Sequence, residues 1–215
     1  MSQLLTVASE ALLLLPQKAV YWPRERMLIV ADIHFGKAAA FRAQGVPVPA
    51  GTTSANLGAL DQLMARYPVC HIMFLGDFLH ARTARAPATL AAMQAWRARH
   101  PSLQLTLVRG NHDVHAGDPP AALRIDVVDE PYGYGPFAFC HHPDLAAPAF
   151  VLAGHVHPVY YLRSGWEAVM LPCFVAAADR LLLPSFGAFT GGHVVTPQPG
   201  QRLFVTSGEA VLAIP

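Results

Sequence analysis

The sequence predicts an α/β fold, a layered α/β-β/α sandwich of two mixed sheets flanked by helices. Two observations predict it: apolar runs alternate with helix-like stretches in the first half, and short strand-like runs separated by Gly and Pro fill the second. The chain has 215 residues, 53% of them hydrophobic, which is enough apolar material for the core of such a sandwich. No repeat, linker or low-complexity tract divides it, so we expect one domain over residues 1–215.

The first half alternates strands and helices. The run at residues 27–31 is apolar throughout, as is typical of a strand covered on both faces. The stretch 53–66 has apolar residues at helical spacing, with Thr52 or Thr53 as the expected N-cap. In order, the predicted elements are strands 12–15, 19–22 and 27–31, helices 37–44 and 53–66, strand 72–75, helix 88–99 and strand 103–108.

The second half contains only strand-like runs. They are short, rich in aliphatic and aromatic residues, and bounded by Gly or Pro. We predict strands at residues 137–140, 150–153, 167–171, 180–183, 193–196, 202–206 and 210–214.

Composition narrows the class of protein. The formal net charge is only +1, so no overall basic field indicates a nucleic-acid or membrane partner. Cys70, Cys140 and Cys173 lack metal-site spacing and are read as reduced. The start of the chain lacks the pattern of a signal peptide and no run is long enough to span a membrane, so we expect a cytoplasmic protein without a membrane partner. The apolar excess leaves room for a homo-oligomer interface.

Five predicted strands are each followed closely by Asp, Asn or His. In α/β sheets this carboxyl edge is where ligands bind. Alternate residues of an extended chain point the same way, so the pairs Asp32/His34 and His155/His157 can each converge on one site. The five segments are Asp32-Ile-His34, Gly76-Asp77-Phe-Leu-His80, Gly110-Asn111-His112-Asp113, His141-His142 and Gly154-His155-Val-His157.

These residue types indicate a divalent metal site. Carboxylate, carboxamide and imidazole groups suit ions such as Mn²⁺, Fe²⁺ or Zn²⁺. The set contains no thiolate, which disfavours a structural zinc site. Eleven histidines is an unusually high number for so short a chain, and several of them follow apolar runs.

The five segments, in order over residues 32–157, resemble the motif series of the calcineurin-like metallophosphoesterase superfamily. The resemblance implies two divalent ions, with Asp32, His34 and His157 holding the first. It implies Asn111, His141 and His155 for the second and Asp77 as the bridge. His112 would be the general acid, and Asp113 would fix its tautomer.

Two positions leave alternatives open. His142 stands where the superfamily more often has Gly, so His142 rather than His141 could be the ligand; His141 is preferred because it follows its strand directly. His80 is read either as a substrate-contacting catalytic residue or as a structural histidine. The segment around it resembles that of a group of DNA-repair nucleases, in which this histidine is associated with the substrate.

Longer segments, at residues 15–22, 31–49 and 183–192, resemble the bacterial ligase-associated DNA-damage-response metallophosphoesterases. That resemblance implies a Mn²⁺-dependent DNA endonuclease acting in repair, with a DNA ligase and a helicase as possible partners. Fe²⁺ and Zn²⁺ are the alternative metals. Single-stranded or flapped DNA is favoured, because no long basic stripe or aromatic ladder is visible for tracking a duplex.

Five basic residues near the motif loops are the expected contacts to backbone phosphates. Phe35 and Phe41 could stack on a base, although packing in the core is favoured for both. Two other functions compete with DNA cleavage: a small-molecule phosphatase or nucleotide phosphodiesterase, and a non-catalytic scaffold in a repair complex. The retained general acid argues against the scaffold. The basic residues are Lys37, Arg42, Arg82, Arg85 and Arg109.

Overall fold

Two mixed β-sheets pack face to face, with helices covering the outer face of the first sheet. The computed structural model describes residues 1–48, 51–165 and 167–215. Pro49, the last residue of one segment of the subfamily resemblance, lies outside the described residues. The predicted layered α/β sandwich is confirmed.

The first sheet has seven strands in chain order. Its first four strands form an antiparallel meander, and the last four run parallel. The change from antiparallel to parallel occurs where helices begin to connect the strands, as parallel neighbours require. The strands are β1 (Gln3–Val7), β2 (Glu10–Leu15), β3 (Ala19–Trp22), β4 (Met27–Ala31), β5 (His71–Leu75), β6 (Gln104–Val108) and β7 (Asp126–Val128).

Within the described residues, the second sheet has nine strands: β8 (Tyr132–Tyr134), β9 (Phe137–Cys140), β10 (Phe150–Ala153), β11 (Pro158–Ser164), β12 (Glu167–Ala176), β13 (Arg180–Leu182), β14 (His193–Val194), β15 (Arg202–Thr206) and β16 (Val211–Ala213). Three of them, β9, β10 and β13, are parallel neighbours at its centre, and β15 and β16 extend it from β12.

The helices are α1 (Lys37–Ala43), α2 (Thr52–Arg66), α3 (Pro87–Arg99) and α4 (Asn111–Ala116), with short 3-10 helices at Arg82–Arg85 and Ala121–Leu123. The N-cap prediction for α2 is wrong: Gly51 occupies that position with φ of 85°, which favours glycine. Thr53 instead accepts a hydrogen bond from the N–H of Gly36 at 3.3 Å and so ties α2 to the turn before α1. Among the described residues, no helix has the length and apolar character of a membrane span.

Two large apolar clusters hold the layers together. One lies between the first sheet and α2 and α3 and includes Leu60 and Trp96. The other fills the space between the sheets, where Leu12 and Ile29 face Phe139 and Phe174. Because the central strands are buried on both faces, their ends are fixed in position, and the site is built on those ends.

Most predicted elements are confirmed within a few residues, but among the described residues four strands, one α-helix and both short 3-10 helices were missed. β1 has one fully buried residue, Leu5, so it shows no apolar run. β11 begins at Pro158, directly after the last motif, where a strand signal is weak. α4 is six residues long and has no apolar periodicity. β7 and β8 have only three residues each.

Candidate metal centre

The carboxyl ends of five strands, from both sheets, meet at one edge of the sandwich. β4, β5 and β6 are parallel neighbours in the first sheet, and β9 and β10 are parallel in the second. Their ends are buried, so the first polar residues beyond them lie beside one another where the apolar core stops. The structure brings together all seven predicted ligands: Asp32, His34, Asp77, Asn111, His141, His155 and His157.

Strained backbone is concentrated at this edge. Five of the seven ligands have φ between 47° and 69°, a left-handed conformation that is uncommon outside glycine. Each such residue costs on the order of 1–3 kcal/mol and persists only where its surroundings fix it, which is typical of functional sites. The five are Asp32, His34, Asp77, His155 and His157.

Two glycines allow the ligands to approach closely. A Cβ on Gly76 would lie 2.1 Å from Nδ1 of His141, and the φ of Gly76 is 75°. A Cβ on Gly154 would lie 2.7 Å from Oδ2 of Asp32. Glycine is therefore required at both positions by the space that a ligand occupies.

The ligands form two clusters, one for each ion, which we call the poles of the centre. The first pole consists of Asp32, His34, His157 and one oxygen of Asp77. Nε2 of His157 lies 3.4 Å from Oδ1 of Asp32, and Nε2 of His34 lies 3.6 Å from Oδ2 of Asp77. Three of these atoms, Oδ1 of Asp32 and Nε2 of both histidines, are buried without a hydrogen-bond partner. Buried polar atoms normally have partners, so three unpartnered atoms around one point fit the coordination of a cation.

The second pole consists of Asn111, His141 and His155. Nε2 of His141 lies 2.7 Å from Oδ1 of Asn111, 3.0 Å from Nδ1 of His155 and 3.5 Å from Oδ1 of Asp77. Nδ1 of His141 is placed to donate to the carbonyl of Leu75 at 3.2 Å. In that tautomer Nε2 presents a lone pair to the oxygens of Asn111 and Asp77, an arrangement that a cation would satisfy.

Both poles fit a divalent ion. Ligand atoms 2.0–2.2 Å from an ion lie roughly 3 Å apart in octahedral geometry and about 3.5 Å apart in tetrahedral geometry. The measured separations within the poles, 2.7–3.6 Å, cover this range. The donors are nitrogen and oxygen only, which suits hard-to-borderline ions.

Both candidate ligands, His141 and His142, lie within ligating distance of His155, but only His141 is buried. The side chain of His141 is fully buried, whereas that of His142 is 40% exposed and its Nδ1 lies 2.6 Å from Oε1 of Glu130. Oε2 of Glu130 also accepts the backbone N–H of His141 and of His142, at 2.7 and 2.8 Å. Glu130 therefore positions this strand end. No sequence motif could have identified it.

The predicted role of Asp113 needs a correction. Asp113 is fully buried, and its oxygens accept the backbone N–H groups of Phe78, Leu79 and Gly110 at 3.0–3.1 Å. It therefore ties the loop after β5 to the loop after β6.

The tautomer of His112 is fixed elsewhere, because Nδ1 of His112 is placed to donate to the carbonyl of His80 at 2.7 Å. This leaves Nε2 of His112 facing the centre, 3.9 Å from Oδ2 of Asp77. The ring of His80 stacks on that of His112 with centroids 4.9 Å apart. Nδ1 of His80 also lies 3.4 Å from Nδ1 of His34, so His80 contacts both a ligand and the predicted general acid.

Desolvation lowers the pKa of three histidines at the centre, His34, His80 and His155. It lowers the pKa of His34 far below its ordinary range and lowers the pKa of His155, with smaller contributions from neighbouring groups. Burial also lowers the pKa of His80 to about 4, and Lys37 and His112 add to the shift. Neutral imidazole is the form that binds metal ions, so the protein arranges these rings in their ligating state.

Among the predicted phosphate contacts, Lys37 is partly buried beside the metal centre, whereas Arg42, Arg82 and Arg85 are exposed. Lys37 begins α1 beside the centre: burial lowers its pKa, and the charges of Asp77 and Asp32 oppose that shift. Arg82 and Arg85 are exposed, and Arg82 uses one N–H on the carbonyl of His115. Arg42 is exposed on α1 and donates to the carbonyl of Val48 at 3.4 Å.

The acidic partners of Arg109 oppose its predicted phosphate contact, which stays a prediction. Its guanidinium binds Asp118 through two hydrogen bonds of 3.1 Å and also binds Asp129. These bonds raise the pKa of Arg109 and engage the donors that a phosphate would need. Arg109 therefore ties together the loops below the second pole, where it lines a cleft of 340 Å³ with Asn111 and His142.

Comparison with known proteins gives a family and a close structural relative. The family model of the calcineurin-like phosphoesterases matches residues 25–157. A solved structure, that of the nuclease MPE of Pseudomonas putida, is 48% identical, covers 100% of both chains and superposes with a TM-score of 0.89. The protein of unknown function AQ665 of Aquifex aeolicus is 18% identical over 61% of this chain and 78% of its own, with a TM-score of 0.40, too low to support an argument. The comparison with curated proteins returned no match.

Proposed function

Because the chain belongs to the calcineurin-like phosphoesterase family, we propose that it is a two-metal phosphodiesterase that cuts DNA within the strand and uses Mn²⁺. The observation that carries the proposal is the position of Asp77. Its Oδ2 faces Nε2 of His34 at 3.6 Å and its Oδ1 faces Nε2 of His141 at 3.5 Å. One carboxylate thus belongs to both poles, as a bridging ligand must.

The remaining ligands are divided between the poles. Asp32, His34 and His157 would hold one ion, and Asn111, His141 and His155 the other. When bound, two divalent ions polarise a phosphoryl oxygen and provide an activated water for in-line displacement. The strained ligand loops, in which Asp32, Asp77 and His141 are buried, hold these side chains in place beforehand, so little reorganisation opposes binding of the phosphodiester.

His112 is placed to complete the reaction. Its Nδ1–H is held by the carbonyl of His80, and its side chain is 38% exposed at the mouth of the centre. Nε2 is therefore the atom that would deliver a proton to the departing oxygen as the phosphodiester breaks. Lys37, which interacts electrostatically with His80, Asp77 and Asp32, would bind a phosphate oxygen of the same substrate.

A nucleic-acid substrate is proposed because the relative that is 48% identical over the full chain is a nuclease, and DNA is chosen because of the sequence resemblance to DNA-repair endonucleases. Mn²⁺ is proposed because the donors are carboxylate, carboxamide and imidazole, without a thiolate. A place in DNA repair, beside a ligase and a helicase, is part of the proposal and rests on the resemblance of the sequence alone.

The test uses metal-stripped protein given Mn²⁺, Mg²⁺ or Zn²⁺ in turn. Two substrates are compared, a circular single-stranded DNA, which offers no ends, and bis-p-nitrophenyl phosphate. Asp77→Asn removes the bridge at nearly constant shape. Glu167→Gln makes the same change at an exposed carboxylate of β12 and is the matched control.

The proposal predicts that the circle is cut with Mn²⁺, that Asp77→Asn loses at least a hundredfold in rate, and that Glu167→Gln retains the wild-type rate. Hydrolysis of the small ester alone would replace DNA by a nucleotide or another small phosphodiester. Two bound ions without hydrolysis of either substrate would overturn the enzymatic proposal and leave a scaffold.

A further inference from the structure

Four aromatic rings form a row that leads outward from the metal centre, and we call this row the ring ladder. His112 stacks on His80 with centroids 4.9 Å apart and planes at 24°. Phe41 follows, 5.7 Å from His80 with planes at 31°. Phe189 closes the row edge-on, 5.9 Å from Phe41. The ladder joins the predicted general acid to two phenylalanines from distant parts of the chain.

The outer rings of the ladder are not core residues. Phe41 lies on α1 and Phe189 in the loop between β13 and β14, and both are partly exposed. Phe35, by contrast, is 1% exposed and packs in the core as the sequence favoured. The expectation of core packing is therefore wrong for Phe41. Its ring lies against His80 at the surface instead of within the first core cluster.

The chain segments that carry the ladder lack acidic residues, which favours the approach of a polyanion such as DNA. Residues 33–60, 78–112 and 180–208 contain no Asp or Glu. The first two carry Lys37, Arg42, Arg82 and Arg85, of which the three arginines are exposed. A phosphate backbone can therefore pass beside the ladder without meeting a carboxylate from these segments until it reaches the metal ligands.

We propose that Phe41, supported by Phe189, stacks on an unpaired base next to the scissile phosphate and thereby selects single-stranded DNA. This inference rests on the proposed cleavage of DNA and names the form of DNA that the centre accepts. Every base has a π-face, so stacking of this kind does not depend on sequence. A base within a duplex is paired and already stacked, so it would have to leave the helix before it could reach Phe41.

If Phe41 stacks on a base, replacing it must slow cleavage more on a substrate that has bases than on one that lacks them. A residue with a merely structural role would affect both substrates equally. The assay measures kcat/KM with Mn²⁺ on two oligonucleotides of equal length, one of thymidine and one in which abasic residues replace the central nucleosides. Bis-p-nitrophenyl phosphate is not used here, since its own rings could stack on Phe41. Variants Phe41→Ala, Phe41→Leu and Phe41→Trp are compared with wild type, and melting temperatures show which variants are folded.

Stacking on an aromatic side chain contributes on the order of tenfold to hundredfold in affinity per base. Wild type is therefore expected to prefer the thymidine substrate by about that factor, and Phe41→Trp to keep the preference. Phe41→Ala and Phe41→Leu should bring the preference close to one. Tyr161→Ala removes an aromatic ring of β11 that is 40% exposed and outside the ladder, and this control should keep the wild-type preference.

Two results would overturn the proposal. One is a folded Phe41→Leu protein that prefers the thymidine substrate as strongly as wild type does. The other is a wild type with no preference between thymidine and abasic tracts. A wild type that cuts neither oligonucleotide refutes DNA cleavage itself, and this failure is visible before any variant is compared.

Discussion

Replacing Asp113 tests whether its role is to hold two loops together or to act on His112. Its carboxylate accepts three backbone N–H groups, those of Phe78 and Leu79 through Oδ1 and that of Gly110 through Oδ2. Asp113→Ala leaves three buried donors without partners, and each costs about 1–3 kcal/mol. Burial raises the pKa of Asp113, so the removed charge was itself unfavourable, and we expect a net loss near the low end, about 3–5 kcal/mol.

Asp113→Asn should lose less. The amide oxygen can keep the bonds to Phe78 and Leu79, whereas its NH₂ group would face the N–H of Gly110. One unsatisfied donor predicts a loss of about 1–3 kcal/mol. For a chain of this size, each kcal/mol lowers the melting temperature by roughly 2–4 °C, so the two variants should differ measurably.

Urea denaturation with EDTA present measures both free energies of unfolding without a contribution from bound metal. We expect wild type to be the most stable, Asp113→Asn to be intermediate and Asp113→Ala to be the least stable. Turnover should fall along with the stability of the two loops. An Asp113→Asn protein as stable as wild type but without activity would refute this account and restore a direct role for Asp113 on His112.

Three further changes test other parts of the structure. Asp77→Ala should lose both ions in metal analysis after gel filtration, because the bridge belongs to both poles; two retained ions per chain would contradict the assignment. Lys18 has a pKa lowered by burial to about 8, so its ammonium form destabilises the fold below that pH and the penalty fades as the pH rises. The free energy of unfolding of wild type should therefore rise by about 1–3 kcal/mol from pH 7 to 10 relative to Lys18→Met, and parallel curves would refute it. Arg109→Met should lower the melting temperature with little effect on KM for DNA, whereas Arg82→Gln should raise KM; a raised KM for Arg109→Met would return Arg109 to the substrate contacts.

The sequence could predict the central strands and the ligands because both signals are local. β4 and β5 are buried at every position, so each reads as an uninterrupted apolar run. Asp32 and Asp77 follow these runs within two residues. Parallel strands place their ends at one edge, and the convergence of the ligands follows without any knowledge of side-chain contacts.

The parts that the sequence could not predict depend on contacts between distant segments. Arg109 was read as a phosphate contact because it precedes Asn111, but the fold brings Asp118 and Asp129 to its guanidinium. Glu130 reaches the backbone of His141 from a loop with no motif. The same limit applies to Phe41, whose surroundings depend on Phe189, far along the chain.

The strained backbone and the unpartnered atoms of the centre are both explained by a fold that is arranged in advance to bind metal ions. Left-handed conformations at five ligands and the unpartnered Oδ1 of Asp32 both lower the stability of the metal-free fold. Two buried sheets and the clamp of Asp113 hold this arrangement although it opposes folding. Metal binding would supply partners to the orphaned atoms and stabilise the folded chain by an amount that grows with the logarithm of the free metal concentration once it exceeds Kd. The same features that weaken the metal-free fold thus keep the ligands ready for two ions.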